Sequence, residues 1–243
     1  MAIRKLIKNL ILNIVPNKVQ LLIENKALLK INKNQEFSTV SYSQEGEDLI
    51  LNRYFENITK GFYIDIGAHH PLRFSNTHFF YKKGWKGINI DPIPGSKEIF
   101  DKFRPNDINL EIGLSKTNEI LEYYNFKEKA LNTFSKDLAN KYLDEKWPLI
   151  NILKIETYPL LEILDRHLKI GFEIDFMSID IEGLELEVIQ SNNWFKFRPK
   201  ILLIEILDFN LSNFLDNEIV IYLESVNYEI IAKTYNTVFF KRK

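Results

Sequence analysis

The chain has 243 residues, 45% of them hydrophobic and 27% charged, which suits one folded α/β domain with an added segment and disfavours a disordered chain. A balance of 32 basic and 33 acidic residues gives a net charge of −1, so we expect no nucleic-acid partner. The chain lacks cysteine, which excludes a thiol nucleophile and cysteine-bound zinc. No apolar run reaches the ~20 residues of a membrane-spanning helix, and we expect a cytoplasmic protein, either soluble or peripheral.

Residues 1–36 differ in composition from the rest of the chain, with seven lysines and arginines against two glutamates. Leucine and isoleucine recur at helical spacing and Pro16 interrupts the pattern, so we predict a basic amphipathic helical arm over residues 1–40. Two interpretations of this arm stay open: contact with the inner face of a membrane, or packing on the main domain or at a dimer interface. Residues 41–243 form the predicted main domain.

From residue 61 onward, strand-like and helix-like segments alternate, which is typical of parallel strands covered by helices on both faces. The central strands are near-continuous apolar runs, as expected for a sheet covered on both faces. In chain order, the predicted elements are a strand at 62–66, a helix at 76–83, a strand at 87–91, a helix at 96–103, strands at 107–114, 119–126 and 150–156, a helix at 159–168, a strand at 176–180, a helix at 184–191, a strand at 201–206, a helix at 216–225 and strands at 228–232 and 237–241. The last two strands predict a hairpin, and the unassigned polar stretch after residue 126 is a candidate substrate lid.

The sharpest local pattern lies in residues 63–70, where an apolar strand carries Asp65 and is followed by a turn at Gly67. In doubly wound sheets, ligands bind outside the carboxyl ends of the strands, and a glycine there lets the backbone approach them. No further glycine precedes the next predicted helix, so the phosphate-binding pattern of dinucleotide enzymes is missing. A cofactor without phosphates, held by an amino-acid end, fits better than NAD.

Asp91 and Asp180 each end a later predicted strand. Asp91 follows Gly67 by 24 residues, a spacing at which a carboxylate can accept hydrogen bonds from both ribose hydroxyls of an adenosine. The alternative for Asp91 is that it caps the segment after it. Asp180 is expected to point into the same cleft, beside the group that is transferred.

Glu182 and Glu205 are the two remaining acids near predicted strand ends. Glu182 lies near the start of a helix, where a negative charge also has a purely structural use because it complements the helix dipole. Glu205 ends an otherwise apolar strand, where a charge is costly unless it is paired, ligated or facing a cleft. A buried ion pair is the alternative for Glu205.

Taken together, the motifs resemble those of the FkbM family of methyltransferases from about residue 41 to residue 205. The matching segments are residues 43–48, 61–68, 75–77, 84–88, 91–92 and 178–185. The resemblance implies a Rossmann-like class I methyltransferase fold, an α/β fold with a seven-stranded, mostly parallel sheet whose C-terminal hairpin is antiparallel. It also implies S-adenosylmethionine as cofactor and O-methylation of a sugar, a nucleotide sugar or a glycan. Many relatives carry Asn and Gly where this chain has His69 and His70.

On this resemblance, Asp65, Gly67 and Ala68 hold the methionine end of the cofactor, and residues 111–115 hold the adenine edge. Gln44 and Glu47 close the pocket, with a helix start capped by Ser43 as the alternative. The predicted cofactor-binding set is Gln44, Glu47, Asp65, Gly67, Ala68, His69, Asn76, Thr77, Asp91, Pro92, Gly113, Ser115 and Asp180.

Methyl transfer to a hydroxyl requires in-line alignment of the acceptor oxygen with the methyl carbon and sulfur, and a base or a metal to activate the oxygen. The predicted catalytic residues are Asp180, His69 and Glu182. Asp180 and Glu205 could instead hold Mg²⁺ through oxygen ligands.

One rival interpretation is a glycosyltransferase that uses Asp180 and Glu182 as a metal-binding motif. Another is a non-catalytic partner module with a methyltransferase fold.

Overall fold

The computed structural model describes residues 38–243. The arm predicted for residues 1–36 lies outside the described residues, so its helices, its membrane or dimer contacts and the domain boundary stay predictions. None of the helices in the described part of the chain combines the length and apolarity that a bilayer crossing demands.

The described chain alternates helices and strands as the sequence predicts, and almost every predicted boundary lies within two residues of the observed one. The elements are α1 (Glu47–Tyr54), β1 (Phe62–Ile66), α2 (His78–Lys82), β2 (Lys86–Ile90), α3 (Ser96–Phe103), β3 (Ile108–Leu110), β4 (Gly113–Leu114), β5 (Glu119–Phe126), α4 (Lys136–Asp144), β6 (Leu149–Tyr158), α5 (Leu160–His167), β7 (Phe176–Ile179), α6 (Glu185–Gln190), β8 (Ile201–Glu205), α7 (Glu218–Ser225), β9 (Tyr228–Lys233) and β10 (Thr237–Arg242), with 3₁₀ turns at Lys129–Leu131 and Phe214–Asp216.

Seven strands form the main sheet in the order β3-β2-β1-β7-β8-β10-β9. The five strands from β3 to β8 are parallel to their neighbours, while β10 runs antiparallel to both β8 and β9. This confirms the predicted mostly parallel sheet with its C-terminal hairpin. Because the strand order reverses between β1 and β7, a cleft opens there at the carboxyl ends of the strands.

A second, three-stranded sheet with the order β4-β6-β5 differs from the prediction. The predicted strand at 107–114 is two strands, because the chain leaves the main sheet after Leu110 and Gly113 pairs with Thr157 of β6. A side chain at Gly113 would lie 2.7 Å from the Thr157 Cγ2 atom and 2.8 Å from the Phe134 ring, so a glycine permits this close contact. The 3₁₀ turn at Lys129–Leu131 and α4 account for the stretch that the sequence left unassigned.

Apolar residues cover both faces of the main sheet, as its uninterrupted apolar strands predict. On one face, Tyr63 and Phe176 pack with aromatic side chains such as Phe80 and Trp85, and the Phe80 and Phe176 ring centroids are 4.9 Å apart. On the other face, aliphatic residues of the strands pack against α5, α6 and α7. Each fully buried side chain of this size contributes about 1.5–3 kcal/mol, which fixes the strand ends that form the cleft.

A fully buried arginine, Arg104, holds the loop that leads from β1 to α2. Its guanidinium donates hydrogen bonds to the Pro71 carbonyl oxygen and to the hydroxyls of Ser75 and Thr77, each at 2.6 Å. The Thr77 hydroxyl in turn donates to the Asp65 carboxylate at 2.6 Å. This network ties the loop to β1 beneath the cleft.

We predict that Arg104→Met lowers the free energy of unfolding by about 3 kcal/mol, because removing a buried, hydrogen-bonded charge leaves its partners unsatisfied. Urea denaturation followed by circular dichroism measures the change. The matched control is Arg53→Met, whose side chain is 86% exposed and should change the stability by less than about 0.5 kcal/mol. Equal effects of the two substitutions would contradict the role given to Arg104.

Candidate active site

A cavity of ≈ 240 Å³ lies at the carboxyl ends of the parallel strands, where the strand order reverses. Its floor is formed by the residues that follow β1, β2, β7 and β8, and its cover by residues of the second sheet, the Lys129–Leu131 turn and α4. Several of the residues predicted as functional line it together: Gln44, Gly67, His69, Asp91, Pro92, Asp180, Glu182 and Glu205.

The turn at Gly67 brings the end of β1 against the end of β7. Its φ angle is +75°, and a Cβ atom built there would lie 1.6 Å from the Asp180 carbonyl oxygen. The amides of Gly67 and Ala68 both donate to the Ile90 carbonyl oxygen of β2, at 2.9 and 3.1 Å. Only glycine fits this position, so three strand ends meet at one residue without a side chain.

Asp91 lies in the cavity wall with 4% of its surface exposed. Its two carboxylate oxygens accept hydrogen bonds from the backbone amides of His69 at 2.7 Å and Ile93 at 2.8 Å. Burial raises the pKa of Asp91 to about 6. A carboxylate has about four acceptor sites, so Asp91 can act as a local cap and still accept hydrogen bonds from a ligand.

His69 adopts a left-handed backbone conformation with a φ angle of 52°. Among the described residues its buried Nδ1 atom has no hydrogen-bond partner. Burial, followed by the nearby charge of Arg73, lowers the pKa of His69 to about 4, so the ring is neutral at pH 7. His70 has a structural role, since its Nδ1 atom accepts hydrogen bonds from the amides of Leu72 and Arg73 at 3.1 Å.

Asp180, Glu182 and Glu205 form a cluster, and a carboxylate oxygen of each lies within 4.8 Å of the others. Burial and then the neighbouring Glu205 charge raise the pKa of Asp180, although this side chain is exposed within the cavity. Burial and then the Asp180 charge raise the pKa of Glu182 to about 8. The pKa of Glu205 is raised by burial and by the Glu182 charge. Three like charges this close favour a shared proton or a cation.

The second sheet and α4 hold Glu182 from above. The Tyr142 hydroxyl of α4 donates to the Glu182 carboxylate at 2.8 Å, and the Thr133 hydroxyl donates to the Glu182 carbonyl oxygen at 2.5 Å. Glu182 has a φ angle of 55°, an uncommon conformation for a residue with a side chain. These contacts fix an otherwise unfavourable conformation and aim the carboxylate at Asp180.

A small recess of ≈ 20 Å³ adjoins the cavity and shares five lining residues with it: Gln44, Phe74, Asp180, Glu205 and Asn236. Its other lining residues are Glu45, Glu47, Asn76 and Thr237. The Glu47 carboxylate accepts hydrogen bonds from the hydroxyls of Thr234 and Thr237, both at 3.3 Å, and ties α1 to the hairpin. Asn76 donates to the Ser178 hydroxyl at 2.9 Å.

The start of α1 also differs from the predicted serine cap. The helix begins after Gly46 and has no side-chain cap. Ser43 instead donates to the carboxylate of Asp48 at 3.0 Å and accepts from its amide at 3.3 Å. This arrangement leaves Gln44 at the cavity wall.

Seven predicted cofactor residues do not line the cavity. Glu47 and Asn76 line the adjoining recess, and Asp65, Ala68, Thr77, Gly113 and Ser115 line neither the recess nor the cavity. Asp65 and Thr77 belong to the Arg104 network beneath it. The Ser115 hydroxyl is hydrogen-bonded to the Thr157 hydroxyl at 2.8 Å. The apolar side chains of Ile112 and Leu114 line the cavity in place of Ser115.

Other lining residues were not predicted individually: Tyr123, Lys129, Asn132, Phe134, Tyr142 and Asn236. Four of them, Lys129, Asn132, Phe134 and Tyr142, lie in the stretch predicted as a candidate substrate lid. Most of them belong to the second sheet and its cover, which approach the cleft through tertiary packing rather than through any local motif. The aromatic residues near the unassigned stretch were the one feature of the sequence that could have indicated that this part of the chain forms a cavity wall.

Several solved methyltransferase structures are similar to this chain. A TehB-like SAM-dependent methyltransferase from Corynebacterium glutamicum has 10% sequence identity and a TM-score of 0.38, over 90% of this chain and 97% of that one. An O-methyltransferase from Bacillus cereus in complex with SAH has 9% identity and a TM-score of 0.43, over 93% and 91%. A precorrin-6y C5,15-methyltransferase from Geobacter metallireducens has 12% identity and a TM-score of 0.36, over 79% and 84%.

No curated protein sequence matches the chain. A family model described as the methyltransferase FkbM domain matches residues 65–230, which is more than half of the chain and includes the Gly67 turn, Asp91 and the three clustered carboxylates. The chain therefore belongs to the FkbM family of S-adenosylmethionine-dependent methyltransferases.

Proposed function

We propose that this protein transfers a methyl group from S-adenosylmethionine to a hydroxyl of a sugar or glycan. The observation that carries the proposal is the cluster of Asp180, Glu182 and Glu205 beside the Gly67 turn. A sugar hydroxyl is a poor nucleophile at neutral pH, and carboxylates with raised pKa values can accept its proton. The negative cluster also suits the positive sulfonium of the cofactor.

We place the cofactor along the cavity from Asp91 to the carboxylate cluster. Asp91 would accept hydrogen bonds from the ribose hydroxyls, and the backbone around Gly67 would approach the methionine end. Ile93, Ile112 and Leu114 offer an apolar surface for the adenine ring. Asp65 and Thr77 would act indirectly, through the Arg104 network that fixes the loop.

We assign the base to Asp180, because its side chain is exposed to the cavity while two carboxylates lie beside it. Loss of the proton from the acceptor hydroxyl to Asp180 would accompany attack on the methyl carbon and release of the neutral thioether. His69 is the weaker candidate, since its lowered pKa makes the ring a poor proton acceptor. Tyr142 would stabilise the charged form of Glu182 by its hydrogen bond.

The same cluster offers a donor set that fits Mg²⁺, which prefers carboxylate oxygens. Asp180, Glu182 and Glu205 would hold the ion, which would lower the pKa of the acceptor hydroxyl. Calorimetric titration with Mg²⁺ and assays in EDTA separate this arrangement from the metal-free base. The rival glycosyltransferase has weaker support, because it gives no role to the Gly67 turn or to Asp91, which line the same cavity.

We predict that Asp91→Asn weakens binding of S-adenosylhomocysteine by about 10- to 100-fold, because hydrogen bonds to a charged acceptor contribute roughly 1.5–3 kcal/mol. Isothermal titration calorimetry measures the affinity. Asp101→Asn, in an exposed acid of α3 that pairs with Lys97, serves as the matched control and should bind normally. Unchanged affinity in the Asp91 variant would contradict the assignment of Asp91 to the ribose hydroxyls.

We predict that Asp180→Asn lowers kcat by about 10²–10⁴-fold, the usual contribution of a general base. Binding of S-adenosylhomocysteine should persist, and Glu187→Gln, in an exposed acid of α6, should leave kcat unchanged. A base with a raised pKa is protonated below that pKa, so wild-type activity should fall as the pH drops. The pKa of Asp180 is raised by burial and by the Glu205 charge, and the pKa of the neighbouring Glu182 is raised to about 8. Full activity of the Asp180 variant, or a flat pH profile of the wild type from pH 6 to 9, would contradict the assignment.

A further inference from the structure

We infer that the sugar unit entering this site is uncharged or positively charged, such as a neutral hexose or an amino sugar. A uronic acid or a sugar phosphate would be rejected. The inference rests on the proposed function and narrows its substrate class. It follows from the charges that surround the cavity and the adjoining recess.

Carboxylates dominate the walls of both spaces. The main cavity and the recess are lined by Asp91, Asp180, Glu182, Glu205, Glu45 and Glu47. Among the described residues, Lys129 is the one lysine or arginine in either wall, and its ammonium group is bonded to the side-chain oxygen of Asn125. The lowered pKa of His69 keeps that ring neutral. Sharing of protons within the carboxylate cluster reduces the negative charge but does not reverse it.

With the cofactor placed as proposed above, the recess lies on the acceptor side of the methyl group. It shares Gln44, Phe74, Asp180, Glu205 and Asn236 with the main cavity but has no contribution from Asp91, Ile112 or Leu114, the residues that surround the proposed adenosine position. An acceptor hydroxyl that reaches Asp180 from this side approaches the methyl group opposite the adenosine. At ≈ 20 Å³ the recess has room for a hydroxyl or another small substituent of the sugar but not for its ring, so it is where a substituent of the acceptor would meet the wall.

The recess also carries neutral groups suited to hydroxyls. The side-chain amides of Gln44 and Asn236 line it and have no hydrogen-bond partner among residues 38–243. An amide both donates and accepts, as a hydroxyl does, whereas a carboxylate only accepts. Sugar hydroxyls can donate to Glu45 and Glu205 and bond in either direction to the amides. A carboxylate or phosphate of the acceptor would find no cation there and would face like charges.

The test compares matched acceptors that differ in one substituent. The full-length protein is incubated with radiolabelled S-adenosylmethionine and with the methyl glycosides of glucose, glucosamine and glucuronic acid, and with the galactose and mannose counterparts of each. Assays run in EDTA and again with Mg²⁺, because a bound cation would change the local charge. In EDTA we expect the neutral and amino sugars to be methylated with a kcat/KM at least tenfold above that of the uronic acids.

A uronic acid methylated as well as its neutral counterpart in EDTA would overturn the inference while leaving the proposed function intact. Discrimination between neutral sugars and uronic acids that holds in EDTA and vanishes with Mg²⁺ would support the carboxylate charge as the source of this discrimination. Methylation of none of the sugars would contradict the proposed function itself, and the inference would fall with it.

A charge-only variant provides the second measurement. Glu45 accepts a hydrogen bond from the Asn236 backbone amide at 2.9 Å, and Glu45→Gln keeps this acceptor while removing the charge. The ratio of kcat/KM for the neutral sugar over the uronic acid should fall several-fold, a readout that does not depend on the amount of folded protein. Glu56→Gln is the control, since Glu56 pairs with Arg53 and its side chain is 55% exposed. An unchanged ratio in the Glu45 variant would count against the recess as the place where a substituent of the sugar meets the wall.

Discussion

The close approach of Gly67 to Asp180 is the contact on which the rest of the site depends. With no side chain at Gly67, the Asp180 carbonyl oxygen occupies the space that a Cβ atom would fill, and the ends of β1 and β7 meet where the strand order reverses. Both the turn that lines the cavity and the first acid of the carboxylate cluster take their positions from this contact. Any larger residue would separate the two strand ends and the groups they carry.

The site brings several negative charges close together, and the repulsion between them lowers the local stability. Three carboxylates that repel one another are held together by the sheet below and by Tyr142 and Thr133 above. Glu182 also has a strained backbone, and such strain persists where the surrounding structure enforces it. Raised pKa values and strain in one cavity are typical of a site shaped for chemistry rather than for folding.

Much of the main sheet could be predicted from the sequence, because buried strands appear as apolar runs and their ends carry the acids. Asp65, Asp91 and Asp180 were predicted to meet in one cleft on that basis. The structure brings Asp91 and Asp180 to one cavity, whereas Asp65 lies beneath it in the Arg104 network. The second sheet could not be predicted. The chain leaves the main sheet after Leu110 because of close packing at Gly113, and no local sequence pattern indicates this packing. Tyr142 and Asn236 reach the cavity only through that tertiary arrangement and through the hairpin.

The most direct test of the account is a crystal structure of the protein with S-adenosylhomocysteine. The account predicts that the ribose hydroxyls bond to Asp91, that the adenine ring lies against Ile112 and Leu114, and that the sulfur faces Asp180 and Glu205. A ligand bound elsewhere, or one turned so that its adenine ring lies on the carboxylate cluster, would contradict it.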